Sequence, residues 1–184
     1  MSDMPATLNR VIVGFTGRIG SGKSEAAHYL EREYGFQYLR YSLVLAEWQN
    51  TDPAAKKRLQ EVGWEVMVDH QRELNRRLVA KLDTTRSAAV DGLRHPIDAE
   101  CLSSLDRPFF VLYIDTPPEN RFERLRARYQ SWEEFIAADS HPVESRIDEL
   151  KSRAIAVING ATSFETFYQG IDAVMKKLSF GSIP

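Results

Sequence analysis

The run Gly17-Arg18-Ile19-Gly20-Ser21-Gly22-Lys23-Ser24 fits the pattern G-x-x-x-x-G-K-[ST] at every fixed position. With glycine at about 7% of residues, a chance match in a chain of 184 residues is on the order of 1%. The setting agrees with the pattern. Residues 10–16 are an apolar run that reads as a buried strand, and residues 24–34 read as a helix. Glycines at 17, 20 and 22 allow the chain to turn tightly and let N–H groups converge on an anion. The N-terminus of the following helix adds partial positive charge. Lys23 is expected to reach the β- and γ-phosphates of a nucleotide, and the Ser24 hydroxyl to bind magnesium. Arg18, Ile19, Ser21 and Glu25 complete the expected ATP-binding set around this loop.

Working outward, four more strands are predicted over residues 36–40, 87–91, 109–114 and 154–158. A long helix is predicted to start at Thr51-Asp52-Pro53, with Asp52 as its cap. Leu59, Val62, Val66, His70, Leu74, Leu78 and Leu82 form one continuous face along it. Pro96 opens another helix. Thr116 with Glu119, Ser131 with Glu134 and Thr162 with Glu165 read as capping boxes of three more. Arg121, Arg124 and Arg128 are predicted to share one helical face. Strands alternate with helices throughout. The expected architecture is α/β: a five-stranded parallel sheet with helices on both faces, three layers in one domain over residues 1–184.

Composition narrows the function. Lys plus Arg is 24 and Asp plus Glu is 26, a formal net charge of −2, which argues against a general nucleic-acid coat. A single cysteine, Cys101, excludes an internal disulfide framework and a cysteine-based zinc site. No apolar run approaches the ~18 residues of a membrane span. Residues 1–8 lack the features of a signal peptide and read as a loose lead-in, with a loose tail over 181–184. A soluble cytoplasmic protein is the expectation.

In parallel sheets, ligands bind beyond the carboxyl ends of strands. Asp91 falls there and is expected to hold magnesium through water. Arg40 and Tyr41 follow the second strand and are candidates for acceptor binding, by phosphate pairing and stacking respectively. Ser42 beside them reads adequately as a helix cap. The arginines at 121, 124 and 128 suit a segment that brings positive charge to a transferring phosphoryl group. The same three residues also fit a solvated helix face. Residues 129–142 carry few apolar side chains and are expected to form a small mobile lid.

The glycine-rich run resembles the P-loop of dephospho-CoA kinases and nucleoside monophosphate kinases. Leu59-Gln60-Glu61-Val62-Gly63 and Val90-Asp91-Gly92-Leu93-Arg94 resemble blocks of phage-type deoxynucleoside monophosphate kinases and of a set of archaeal P-loop kinases. Residues 121–128, followed by Trp132-Glu133-Glu134-Phe135, are similar to the lid-preceding helix and lid of those kinases. The resemblance implies a three-layer P-loop NTPase fold with Lys23, Asp91, Arg124 and Arg128 as catalytic residues. It implies Arg121 at ATP, Arg94 at the acceptor phosphate, and magnesium on Ser24 and Asp91. It also implies a post-lid arginine where this sequence has His141, with Arg146 and Arg153 as the nearby substitutes. The activity it implies is phosphoryl transfer from ATP to a small nucleotide-like acceptor, led by a (deoxy)nucleoside monophosphate. Dephospho-CoA kinase and a regulatory NTP-binding protein without turnover are the alternatives. A GTPase is opposed by the absence of DxxG and NKxD stretches.

Overall fold

The predicted first strand is β1, Ile12–Thr16, wholly buried at the centre of the sheet. The computed structural model describes residues 10–179, so the expected lead-in over 1–8 and tail over 181–184 lie outside the described residues. After β1 come α1 (Lys23–Tyr34), β2 (Gln37–Arg40), α2 (Tyr41–Trp48), α3 (Lys56–Asp69) and α4 (Gln71–Val79). Then follow β3 (Ala88–Leu93), α5 (Pro96–Ser103), β4 (Phe109–Asp115), α6 (Pro118–Arg124) and α7 (Trp132–Asp139). Two 3-10 segments, Pro142–Glu144 and Ile147–Arg153, lead to β5 (Ala156–Asn159) and α8 (Phe164–Ser179).

The strand order is β2-β3-β1-β4-β5 and every pairing is parallel. Val13, Phe15, Leu112 and Ile114 pack under α1 and α8 on one face. Ile12, Ala88, Val90 and Val111 pack under α2 to α5 on the other. Covering both faces is what makes the strands read as continuous apolar runs. The α/β three-layer architecture is the one expected.

The register of β1 on β3 shifts after Phe15↔Asp91, so that Thr16 pairs with Leu93. Gly92, at φ 90°, takes the extra position that a side chain would resist. The Thr16 hydroxyl donates to Leu93 O at 2.9 Å and fixes the bulge. Asp91 is thereby held at the carboxyl edge, beside the loop that follows β1.

The long helix predicted from Asp52 is two helices. Asp52 Oδ1 accepts from Ala54 N at 2.8 Å in a turn, and α3 starts only at Lys56. His70, at φ −135°, breaks the run before α4. Leu59, Val62, Val66, Leu74 and Leu78 are all buried, as their spacing required. That spacing continues across the break because both pieces pack into one core with α2, so it cannot reveal the bend.

The capping boxes hold in part. Ser131 accepts from Glu134 N at 3.2 Å as expected, while Glu134 Oε2 takes Gln130 N at 2.9 Å. Thr116 caps nothing: its hydroxyl donates to Ser21 O at 2.8 Å, and α6 starts after Pro117. Ser163, not Thr162, caps the last helix by accepting from Thr166 N at 3.3 Å. Helix α6 ends at Arg124, so Arg128 lies in the following turn and the three arginines do not share a helical face. That turn carries Tyr129 back onto Ile19 and Phe135. Segment 129–142 is better anchored than its composition suggested. Phe135 is fully buried, and Asp139 forms a two-bonded pair with Arg121 at 2.6 and 3.0 Å.

Candidate active site

The loop between β1 and α1 is held open by its surroundings. Gly17, at φ 141°, has no room for a side chain, because a Cβ there would run into Ile114 O. The loop's carbonyls are taken by donors from elsewhere in the fold. Lys23 Nζ donates to Gly17 O and Arg18 O at 2.8 and 2.9 Å. Arg121 Nη1 donates to Ile19 O at 3.1 Å. Thr116 Oγ1 and Arg124 Nη1 both donate to Ser21 O, at 2.8 and 3.2 Å. With its carbonyls occupied, the loop presents amides at the start of α1 as its anion-binding component. Lys23 is half-buried, and this burial, outweighing the attraction of Asp91 and Glu144, lowers its pKa to about 8. An arriving polyphosphate restores the opposite charge that the burial lacks.

Ser24 Oγ donates to Asp91 Oδ2 at 2.6 Å, which joins the first helical turn to the end of β3. Asp91 is 1% exposed. The same Oδ2 accepts from the Tyr38 hydroxyl at 3.0 Å and pairs with Arg40 Nε at 3.3 Å. Two oxygen donors, one hydroxyl and one carboxylate, suit a hard cation that draws its remaining ligands from phosphate and water. Among the described residues no group of three or more His, Cys, Asp or Glu could hold a metal by itself.

A cleft of about 310 Å³ runs from this loop to the ends of β2 and β3. Gly20, Gly22, Lys23 and Ser24 line it together with Arg40, Lys56, Arg94 and Arg128. Arg40 and Arg94 are therefore brought to the cleft, as their positions after strands suggested. Tyr41 is not available for stacking. It is 4% exposed, and its hydroxyl donates to Asn75 Oδ1 at 2.5 Å. Tyr38 is the tyrosine that reaches the site; it lies two residues before Arg40 on one strand, a period-2 relation that could have identified it. Its ring stacks on His28 with centroids 4.0 Å apart.

Other expected residues stand differently. Arg121 is 3% exposed and bonded to Thr116 O, Ile19 O and Asp139, so it braces the loop from behind and does not line the cleft. Arg18 points away, onto Asp148 at 2.5 Å and Asp139 O at 3.2 Å. Glu25 accepts from the Tyr168 hydroxyl at 2.5 Å. Arg124 also bonds Gly160 O, on the loop after β5. Arg128 faces the cleft with its guanidinium 4.9 Å from the Tyr129 ring centre. His141 Nδ1 accepts from Val143 N at 3.2 Å, while Arg146 and Arg153 pair with Glu149 and Glu100. Neither arginine lines the cleft.

One lining residue had no sequence signal at all. Glu144, 1% exposed, enters the cleft from the segment after α7 and pairs with Arg94 Nε at 3.1 Å. Nothing in the spacing of residues 139–147 marks it.

The family model described as AAA domain matches residues 16–140. The chain is 28% identical to a UPF0200 protein of Aeropyrum pernix, over 87% of this chain and 89% of the relative. It is 29% identical to a dephospho-CoA kinase of Thermus thermophilus, over 94% of each chain. The solved structure of shikimate kinase from Acinetobacter baumannii in complex with shikimate is similar in fold, with a TM-score of 0.59 at 15% identity, covering 95% of this chain and 96% of that one. With the phosphate loop, the sheet order and these relatives together, the chain belongs to the AAA domain family, in its P-loop kinase form.

Proposed function

We propose that this protein transfers the γ-phosphoryl group of ATP to a small nucleotide-like acceptor, a (deoxy)nucleoside monophosphate in the leading reading. One observation carries it: a single cleft joins the phosphate loop to a second cationic cluster, Arg40, Lys56, Arg94 and Arg128. A protein that only sensed nucleotide would need the loop and not the cluster. The β- and γ-phosphates lie on the amides at 20–24 and on Lys23, while Arg40 and Arg94 orient the acceptor phosphate. Ser24 and Asp91 would hold magnesium, which when bound supplies Lewis-acid charge to the phosphate oxygens. Arg128 stabilises the transferring group, and Arg124 keeps the loop in shape from the β5 side. Residues 129–142 line the adjoining cleft and not this one, so they exclude water and limit hydrolysis of ATP only on moving toward the bound nucleotide.

A second reading takes dephospho-CoA as acceptor. The Thermus thermophilus relative favours it. So does an adjoining cleft of about 480 Å³ that shares Lys56, Gln60 and Arg128 with the first and continues past Lys57 and Tyr129, offering room for a longer acceptor.

Ligand-induced thermal shifts test the site, because binding raises stability by mass action. ATP should raise the melting temperature, and a nucleoside monophosphate should raise it further in the presence of ADP. No shift with any nucleotide would reject the reading.

A further inference from the structure

The acceptor end of the cleft holds three buried polar atoms with no hydrogen-bond partner among the described residues: Ser42 Oγ, Arg94 Nε and Glu144 Oε1. Such atoms are rare in folded proteins and mark places where something else completes the bonding. The other carboxylates along the cleft are engaged, Asp91 by Ser24 and Tyr38, Glu25 by Tyr168. Glu144 Oε1 is ion-paired with Arg94 but makes no hydrogen bond, in a cleft otherwise dominated by cations. Arg94 Nε lies 3.1 Å away, yet neither atom is oriented to bond the other.

We infer that the Arg94–Glu144 pair binds a hydroxyl group of the acceptor, and that Glu144 is the residue that selects hydroxyl-bearing nucleotides over their deoxy counterparts. A hydroxyl oxygen accepts from Arg94 Nε while its proton is donated to Glu144 Oε1, so one atom meets both needs. A phosphate oxygen at this Nε–Oε1 position would accept from Arg94 and be repelled by Glu144, so the acceptor phosphate is left to Arg40 and the Nη groups of Arg94. An amino group would donate to Glu144 and offer Arg94 nothing. A sugar hydroxyl is the one group on a nucleotide that does both through a single atom, where a base edge needs a separate carbonyl and N–H. Bonds to an ionised partner are the stronger kind, and a site built for a hydroxyl leaves two buried groups unsatisfied when it is missing, so discrimination is large for one oxygen atom. Ser42 Oγ, on the same wall, is placed to serve a neighbouring polar atom of the same ligand.

The inference rests on the cleft being the acceptor site. Titration calorimetry in saturating ADP would use the four common ribonucleoside 5′-monophosphates with their 2′-deoxy and 3′-deoxy counterparts. The wild-type protein should bind its preferred ribonucleotide at least about tenfold tighter than one deoxy counterpart. Glu144→Gln should shrink the ribonucleotide's advantage over that deoxy counterpart severalfold, read as the ratio of the two affinities within the variant. Equal wild-type affinity for both forms would mean that the pair holds only water, and overturns the inference. So does an equal loss on both forms in Glu144→Gln. Binding of ADP with no binding of any monophosphate would instead reject the acceptor reading, and the hydroxyl site with it. Should Glu144→Gln lose ADP binding, Glu144→Asp, which keeps the charge and shortens the reach, is judged by the same criterion.

Discussion

The two halves of the cleft are built in opposite ways. On the donor side the carbonyls of Gly17, Arg18, Ile19 and Ser21 are all bonded to side chains from α1, α6 and the end of β4. Toward Arg94, the buried polar atoms Ser42 Oγ, Arg94 Nε and Glu144 Oε1 make no hydrogen bond, the last two being held only as an ion pair. In the first half these carbonyls are bonded before any ligand arrives, with the buried Ser21 hydroxyl the one loop side chain left without a hydrogen bond, and a backbone so fixed suits the one group common to every nucleoside triphosphate. On the proposed reading, the second half is completed by the acceptor, whose polar groups supply the hydrogen bonds missing there. Preorganisation belongs to catalysis, and unsatisfied polarity to selection.

The largest effect that would sharpen this contrast is loss of Lys23. Lys23→Ala should lower turnover by about 10²–10³-fold or more, as expected for removing a preorganised charge at the transferring group. Its melting temperature should stay close to wild type, because the removed ammonium is itself disfavoured by burial. Unchanged turnover would break the donor half of the account.

Next comes the brace behind the loop. Asp139→Ala leaves the Arg121 guanidinium buried without its carboxylate, a loss of about 3–5 kcal/mol for a buried pair. Denaturant unfolding would measure it. A loss under ~1 kcal/mol, the range of exposed pairs, would show that the loop does not depend on α7.

Arg124 and Arg128 separate the two halves kinetically. Arg128→Ala should lower kcat by about 10–100-fold with little change in KM for ATP, because its contacts strengthen only in the transition state. Arg124→Ala should raise KM for ATP, since Arg124 braces the loop through Ser21 O and Gly160 O. The reverse pattern would exchange the roles assigned to them.

Much of this site could be read in the sequence, and the parts that could not share a cause. The loop, Ser24 and Asp91 follow from local patterns: a contiguous motif, and a carboxylate ending an apolar strand. Arg40 and Arg94 follow from the same edge rule. Tyr41 departs from that expectation because the rule says which residues lie beyond a strand, not which way each side chain turns; burial against Asn75 decides that. Arg121 and Arg128 parted because the helix stops at Arg124, where tertiary packing of Tyr129 and Phe135 on Ile19 outweighs local periodicity. Glu144 meets Arg94 across 50 positions of chain, and no spacing rule reaches that far.

The smallest expected effect is on pH dependence. The pKa of Lys23 in the free protein is lowered to about 8, so above that pH the lysine loses the charge that attracts phosphate. KM for ATP should then rise by up to about tenfold per pH unit, while KM for the acceptor lacks that inflection. Linkage gives the accompanying sign. A lysine whose pKa is lowered on folding binds fewer protons than the unfolded chain between about 8 and its usual 10.5, so this group makes the unliganded protein more stable as pH rises through that window. An ATP affinity flat from pH 7 to 10 would place Lys23 in a more exposed setting.

Acceptor-dependent release of ADP tests the central claim most directly. With ATP and magnesium present, the wild-type protein should release ADP in proportion to a nucleotide acceptor consumed, with the phosphorylated acceptor detected by mass spectrometry in equal amount. Arg94→Ala should cut that release while leaving ATP binding in place. ADP release that is the same with and without every acceptor, or ATP binding with no phosphorylated product from any of them, would contradict the account.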